Sequence, residues 1–185
     1  TDVRVRNSTP PFLADIIPPA EIAISNLLLN GEFDSRDNDL YPRSGQYAQA
    51  EGLISSEDLG GDSNYQSLEL EWNGYRPFGE NNVLALRVAG KIVDGNAPFF
   101  ALAWFGTGVD LRGYTPGRYI GESMVALQAE WRWQATARWG FVAFGGTGKV
   151  SGALGEIHTD PWLPAGGVGM RFRLTKALPL NMRAD

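Results

Sequence analysis

Leu68-Glu69-Leu70-Glu71-Trp72-Asn73 decides the fold class of this chain. In an extended backbone successive side chains point to opposite faces, so Leu68, Leu70 and Trp72 share one face and Glu69, Glu71 and Asn73 the other. The same period recurs along the chain. Leu84, Leu86, Val88 and Ile92 oppose Arg87 and Lys91, and Val125, Leu127, Ala129, Trp131 and Trp133 oppose Gln128, Glu130 and Arg132. Further on, Val168, Met170, Phe172 and Leu174 oppose Arg171 and Arg173, and Leu180, Met182 and Ala184 oppose Asn181, Arg183 and Asp185. Weaker strands are expected over 23–34, 46–55 and 139–150, and 2–6 reads as the tail of another. The 23 glycines and 11 prolines punctuate the whole length and disfavour long helices. The expectation is an all-β, antiparallel fold of about eight strands.

Composition narrows the setting. A chain of 185 residues is long enough for one domain with a substantial core. Its longest apolar runs are Ile22-Ala23-Ile24, Leu27-Leu28-Leu29 and Val83-Leu84-Ala85-Leu86, far short of the ~20 residues of a spanning helix. Strands that cross a membrane give this profile, because half of each strand faces away from lipid. With no cysteine there is no disulfide framework, thiolate metal site or cysteine nucleophile. A net charge of -5 argues against a nucleic-acid partner. Thr1-Asp2-Val3-Arg4 has neither a charged n-region nor an apolar h-region, so a signal is expected to have been removed or to lie in sequence further upstream.

The connections alternate in length. Short turns are expected around 38–45, 78–81, 134–138 and 175–178, and longer loops around 56–64, 94–123 and 151–162. An up-and-down barrel with turns at one rim and loops at the other produces that alternation, and it is the plan of outer-membrane barrels. A soluble ligand-binding barrel carries the same period with its faces reversed. Trp72, Trp131, Trp133, Trp139 and Phe141 read as lying near strand ends, where an aromatic girdle belongs. On the membrane reading Leu68, Leu70, Trp72, Leu86, Leu127, Trp131, Met170 and Phe172 face outward. Glu69, Glu71, Arg87, Gln128, Glu130 and Arg171 then face inward.

Four elements, in order, resemble the bacterial surface-antigen superfamily of outer-membrane barrels. This superfamily includes the BamA and TamA assembly factors, the two-partner-secretion translocators and barrels fused to patatin-like lipases. The first is Asp34-Ser35-Arg36-Asp37-Asn38 with Tyr41-Pro42-Arg43-Ser44-Gly45, similar to a strand and periplasmic turn. The second, Leu111-Arg112-Gly113-Tyr114 with Gly117-Arg118-Tyr119, resembles the signature of the sixth extracellular loop. Ala129-Glu130-Trp131-Arg132 resembles the strand after that loop, and Gly167-Val168-Gly169-Met170-Arg171-Phe172 a late strand.

The resemblance implies part of a sixteen-stranded transmembrane β-barrel, roughly its eighth to fifteenth strands, over residues 23–185. Residues 1–22 are then an extracellular loop or strand remnant. It also implies a C-terminal barrel portion or an unusually short relative, with the signature loop folded back into the lumen. Arg112 corresponds to the loop arginine that pairs with acids on the lumen wall, and Glu130 to one of those acids. The second acid belongs to a Phe-x-Asp-x-Gly motif, which maps onto Phe144-Gly145-Gly146-Thr147-Gly148 with Gly146 in place of Asp. The implied lumen anchor is Arg112, Gly113, Tyr114, Glu130, Phe144, Gly146 and Gly148, with glycines at 145, 146 and 148 giving clearance.

Other motifs reduce to simpler readings. The acidic string 34–39 lacks the spacing and distal Glu of a calcium loop and reads as a strand end and turn. Gly145-Gly146-Thr147-Gly148-Lys149 is followed by Val150 where a phosphate-binding loop requires Ser or Thr. His158 is the only histidine, and Gly121-Glu122-Ser123-Met124-Val125 lacks the closing Gly of a nucleophile elbow. No catalytic, cofactor or metal site is expected, and the chain does not read as an enzyme. The partners implied are outer-membrane lipid, unfolded outer-membrane or secreted proteins, and missing strands or another copy at the sheet edges. Closing eight strands alone would leave a lumen just wide enough for side chains, with little room for the loop over 94–123. The function implied is insertion or translocation of proteins at the outer membrane. Alternatives are an anchor for an upstream enzyme such as a patatin-like lipase, and a small ligand-binding barrel.

Overall fold

A computed structural model of the protein describes residues 23–107, 110–157, 160–173 and 181–184. The expectations on 1–22, on the turn at 175–178 and on Leu174, Leu180, His158 and Asp185 lie outside the described residues. The strands are β1 (Asn26–Asp34), β2 (Gly45–Ser55), β3 (Tyr65–Phe78), β4 (Asn82–Gly95), β5 (Ala103–Trp104), β6 (Ile120–Gly121), β7 (Ser123–Gln134), β8 (Trp139–Ser151), β9 (Leu163–Arg173) and β10 (Asn181–Ala184). Eight of them form one antiparallel meander in the order β1-β2-β3-β4-β7-β8-β9-β10, and β5 and β6 pair separately within the long loop. Among the described residues β1 and β10 are the two edges of an open sheet. Every strand expected from alternation within this range is present. The first begins at Asn26 rather than residue 23, and the one expected over 139–150 runs on to Ser151.

Register carries the alternation across the whole sheet. Phe33, Ala48, Trp72, Val88, Leu127, Thr147 and Pro164 lie in one cross-strand row. The adjacent row is Asp34, Tyr47, Asn73, Arg87, Gln128, Gly146 and Ala165, on the opposite face. The first face is the exposed one, with Leu68, Leu70, Leu86, Leu127, Trp131 and Met170 all open and Leu70 48% accessible. Trp72 and Phe172 share that face and are half-buried, Trp72 because its ring covers Gly74, where a Cβ would lie 2.6 Å from the indole. On the other face Gln128, Glu130 and Arg171 are buried, and Glu69, Glu71 and Arg87 are half-buried. An apolar face turned outward around charged groups is the reverse of a soluble barrel, and in lipid only the apolar side chains can face the hydrocarbon. Charges on the outward phase, Arg76, Asp94 and Lys149, are confined to the last few residues of their strands.

Loop lengths follow the same plan. Turns 35–44, 79–81 and 135–138 close one rim, and loops 56–64, 96–122 and 152–162 close the other. In the first turn Asp37 Oδ1 accepts the backbone N–H groups of Arg43 at 2.8 Å and Ser44 at 3.1 Å. Burial works to raise the Asp37 pKa, but these hydrogen bonds prevail and hold it below the usual carboxylate value. Asn38 Oδ1 accepts from the N–H of Leu40 at 3.0 Å and Tyr41 at 2.8 Å, and Asp34 pairs with Arg36 at 2.5 Å. The acidic string is thus occupied in building a turn. Trp131 and Trp133 near the end of β7, with Trp139, Phe141 and Phe172, form a band at this rim; Trp133 and Phe141 centroids are 5.8 Å apart, Trp139 and Phe172 4.8 Å. Trp72 differs from expectation, since it sits in the middle of β3. Its Nε1 leans toward the rim to donate to Gln46 Oε1 at 3.1 Å.

The inner face is divided by charge. Among the described strand residues, β1–β3 direct Glu32, Asp34, Glu51, Glu69 and Glu71 inward and no cation. Strands β4, β7, β9 and β10 direct Arg87, Lys91, Arg132, Arg171, Arg173 and Arg183 inward against the single acid Glu130. The two regions meet where Lys91 Nζ lies 3.4 Å from Glu69 and Arg87 Nε donates to Asn73 Oδ1 at 2.8 Å.

Candidate functional site

The long loop 96–122 lies on the inner face of β7, β8 and β9. Its stem is the β5–β6 ladder, extended by Phe105 N–H donating to Tyr119 O at 3.0 Å. The tip is pinned from within: buried Asp110 accepts the Gly106 N–H at 2.6 Å. Gly106 has φ +88°, and a Cβ there would sit 2.9 Å from Tyr114 O, so the return of the chain at this point requires glycine. Gly113 also takes a left-handed conformation, φ +96°, and lies exposed beside Arg112.

Apolar side chains fix the loop to the wall. Phe105 and Leu111 are fully enclosed with Ala103, Met124 and Ala126, and Tyr114, Tyr119, Val150, Leu163 and Ala165 pack around them. Phe105, Tyr114 and Tyr119 meet edge to face, with centroids 5.2, 6.4 and 5.8 Å apart, a geometry that aromatic quadrupoles favour. The close approach depends on two inward glycines of β8. A Cβ on Gly146 would lie 2.5 Å from Leu111 Cδ1, and one on Gly148 2.7 Å from the Phe105 ring. Gly145 does not share this role: it is exposed on the outward phase, and a Cβ there would meet nothing nearer than Ala165 O at 4.0 Å. Clearance therefore comes from 146 and 148, because the strand period turns 145 toward lipid. Tyr114 Oη donates to Pro164 O at 2.7 Å, tying the loop to β9. Tyr114→Phe is expected to destabilise the docked loop by about 1 kcal/mol, read as faster amide exchange over 110–119 with unchanged exchange in β3 and β4.

The polar half of the site centres on Glu130, only 4% exposed. Its Oε2 accepts from the Arg112 guanidinium, and its Oε1 from Arg132 Nε at 2.5 Å. Arg171 Nη2 lies 3.9 Å from Oε2. Arg112 also donates its backbone N–H to Gln128 Oε1 at 3.4 Å and places its guanidinium carbon 4.4 Å from the centre of the Phe144 ring. Arg132 reaches on toward the short-turn rim, where Nη1 donates to Pro42 O at 3.1 Å and the guanidinium lies against the rings of Tyr41 and Tyr75 at 4.9 and 5.2 Å. Burial pushes the Tyr41 phenol above its usual pKa. A desolvated carboxylate requires such partners, since the loss of its hydration is otherwise uncompensated.

The structure brings together Arg112, Tyr114, Glu130, Phe144, Gly146 and Gly148, with Gly113 at the exposed turn beside them. Sequence reasoning missed Arg132 and Arg171 as partners of Glu130, and Phe105, Leu111 and Tyr119 as the apolar half. A signal for Arg132 was present, because it stands two residues after Glu130 on the same face of the strand. At Gly146, where the resembled motif has an acid, Leu111 Cδ1 takes up the space.

A family model, the Omp85 superfamily domain, matches residues 23–175. The chain belongs to the Omp85 superfamily. Its strands are therefore those of a bacterial outer-membrane β-barrel. Among solved structures it is similar to the crystal structure of BamA from Haemophilus ducreyi lacking POTRA domains 1–3, with a TM-score of 0.71 and 15% sequence identity. That likeness covers 84% of this chain and 37% of the BamA chain. This Omp85 chain thus spans little more than a third of that relative. No curated protein matches it.

Proposed function

We propose that this Omp85 barrel acts in the insertion or translocation of proteins at the outer membrane, without catalysis. In this reading the lumen loop, anchored through Arg112, Gly113, Tyr114, Glu130, Phe144, Gly146 and Gly148, holds the barrel wall in shape. The observation that carries it is the Arg112–Glu130 pair, which places a loop from one rim against a buried acid on the inner wall. Superfamily membership and the BamA-like fold support the same role. Unfolded outer-membrane or secreted proteins are the expected substrates. Strand addition at a weak seam is a physically suited route, because an unpaired edge offers main-chain hydrogen bonds to any extended segment.

The test is complementation by the full-length protein in cells depleted of it. Arg112→Ala should lose most assembly activity, whereas Arg118→Ala should retain it, because Arg118 is exposed, with its guanidinium 5.6 Å from the Tyr119 ring. Equal behaviour of the two variants removes the anchor from the mechanism. Normal assembly in the depleted cells themselves would favour a passive membrane anchor for an enzyme domain over an assembly factor.

A further inference from the structure

We propose that Arg132 is the positioning residue of the loop anchor and ties it to turn 35–44 at the opposite rim. The inference rests on the anchor reading above and deepens it. Glu130 has two oxygens, and each is gripped from a different direction. Oε2 faces Arg112 of the loop, while Oε1 is held by Arg132 Nε at 2.5 Å. The same guanidinium donates through Nη1 to Pro42 O at 3.1 Å and lies against the Tyr41 and Tyr75 rings at 4.9 and 5.2 Å. Arg132 is thus fixed by the turn and in turn fixes the carboxylate.

Three features make this more than a neighbouring contact. A planar guanidinium can satisfy a carboxylate and a carbonyl at once through separate N–H groups, which a lysine ammonium on a flexible stem does poorly. Gly146 supplies no acid to Arg112, so the orientation of Glu130 sets the geometry of this ion pair. Moreover, the chain of contacts Arg112–Glu130–Arg132–Pro42 runs from the long-loop rim to the short-turn rim through side chains that are all at least half-buried or held by the turn.

Amide exchange of the full-length protein in lipid nanodiscs reads both ends in one experiment. Arg132→Ala should raise exchange over 110–119 and over 37–44 by about tenfold, the cost of one charge-assisted hydrogen bond in a local opening. Arg112→Ala should also raise exchange at 37–44, and the double variant should add little to either single one, because both act through Glu130. Amides of β3 and β4 should keep their rates, which separates this effect from general unfolding. Arg132→Lys, which keeps the charge, should fall between wild type and Arg132→Ala. If Arg132→Ala opens only 37–44 while Arg112→Ala opens only 110–119, the link is overturned and the loop anchor stands. Unchanged exchange at 110–119 in Arg112→Ala sinks the anchor itself and this proposal with it. Wild-type rates in Arg132→Lys at both segments overturn the bridging role.

Discussion

Glu130→Ala is expected to destabilise the barrel wall by about 3–5 kcal/mol, the cost of removing one partner from a buried ion-pair cluster. Three arginines converge on this carboxylate, and Arg171 is only 8% exposed at its side chain while lying 3.9 Å away. Without Glu130 they repel one another in a space with little water, so the loop is expected to leave the wall to let Arg112 reach solvent. Arg171→Ala should cost much less, since it removes a longer contact and relieves some like-charge repulsion. The measurement is the urea midpoint of the folded, heat-modifiable form in lipid vesicles. A loss under about 1 kcal/mol for Glu130→Ala would mean that the cluster behaves as a screened surface pair.

Gly148→Val should be nearly as damaging, at about 3 kcal/mol, by overpacking rather than by charge. A Cβ at this position would lie 2.7 Å from Phe105 Cε2 and Cζ and 2.8 Å from Val125 O. The backbone oxygen belongs to the paired strand and cannot yield without breaking the ladder, so Phe105 has to move. Phe105 is the fully buried centre of the loop cluster, and its displacement releases Leu111 and Tyr114 as well. Gly146→Asp should not supply a second acid for Arg112, because the new Cβ would fall 2.5 Å from both Leu111 Cδ1 and Leu127 O. Gly145→Ala is the matched control and should be nearly neutral, its Cβ pointing into open space toward lipid. Proteolysis of the loop at Arg118 reports all three; similar cleavage of Gly148→Val and Gly145→Ala would refute the packing argument.

The strands were legible because a half-buried strand writes its period directly into the sequence. Leu68-Glu69-Leu70-Glu71-Trp72-Asn73 carries both the secondary structure and the face assignment. Which face meets water was not contained in that period, and needed the outward phase of Trp131 and Trp133 beside a buried Glu130. The polar pair in the site came from a family-like register. Its apolar half did not, since Phe105, Leu111 and Tyr119 sit in a loop with no period and meet β8 only through tertiary packing. The charge division of the inner wall was hidden for a different reason. Glu51 on β2 and Arg171 on β9 are each ordinary inward polar residues, and only the strand order gathers acids on one side and cations on the other.

The loop cluster also constrains the order of events during folding. Phe105 and Leu111 precede β7, yet Val150 closing the cluster comes from β8 and Leu163 and Ala165 from β9. A polypeptide emerging from its N-terminus therefore holds an incomplete aromatic plug until more than fifty further residues, β7 and β8 among them, have followed Leu111. Contacts of such long sequence separation form late, because chain closure has to precede the gain from burial. Hairpins β3–β4 and β7–β8 can form early from local pairing, whereas the plug locks only when β9 arrives. Seating of this loop is thus a late kinetic checkpoint that reports the arrival of the penultimate described strand.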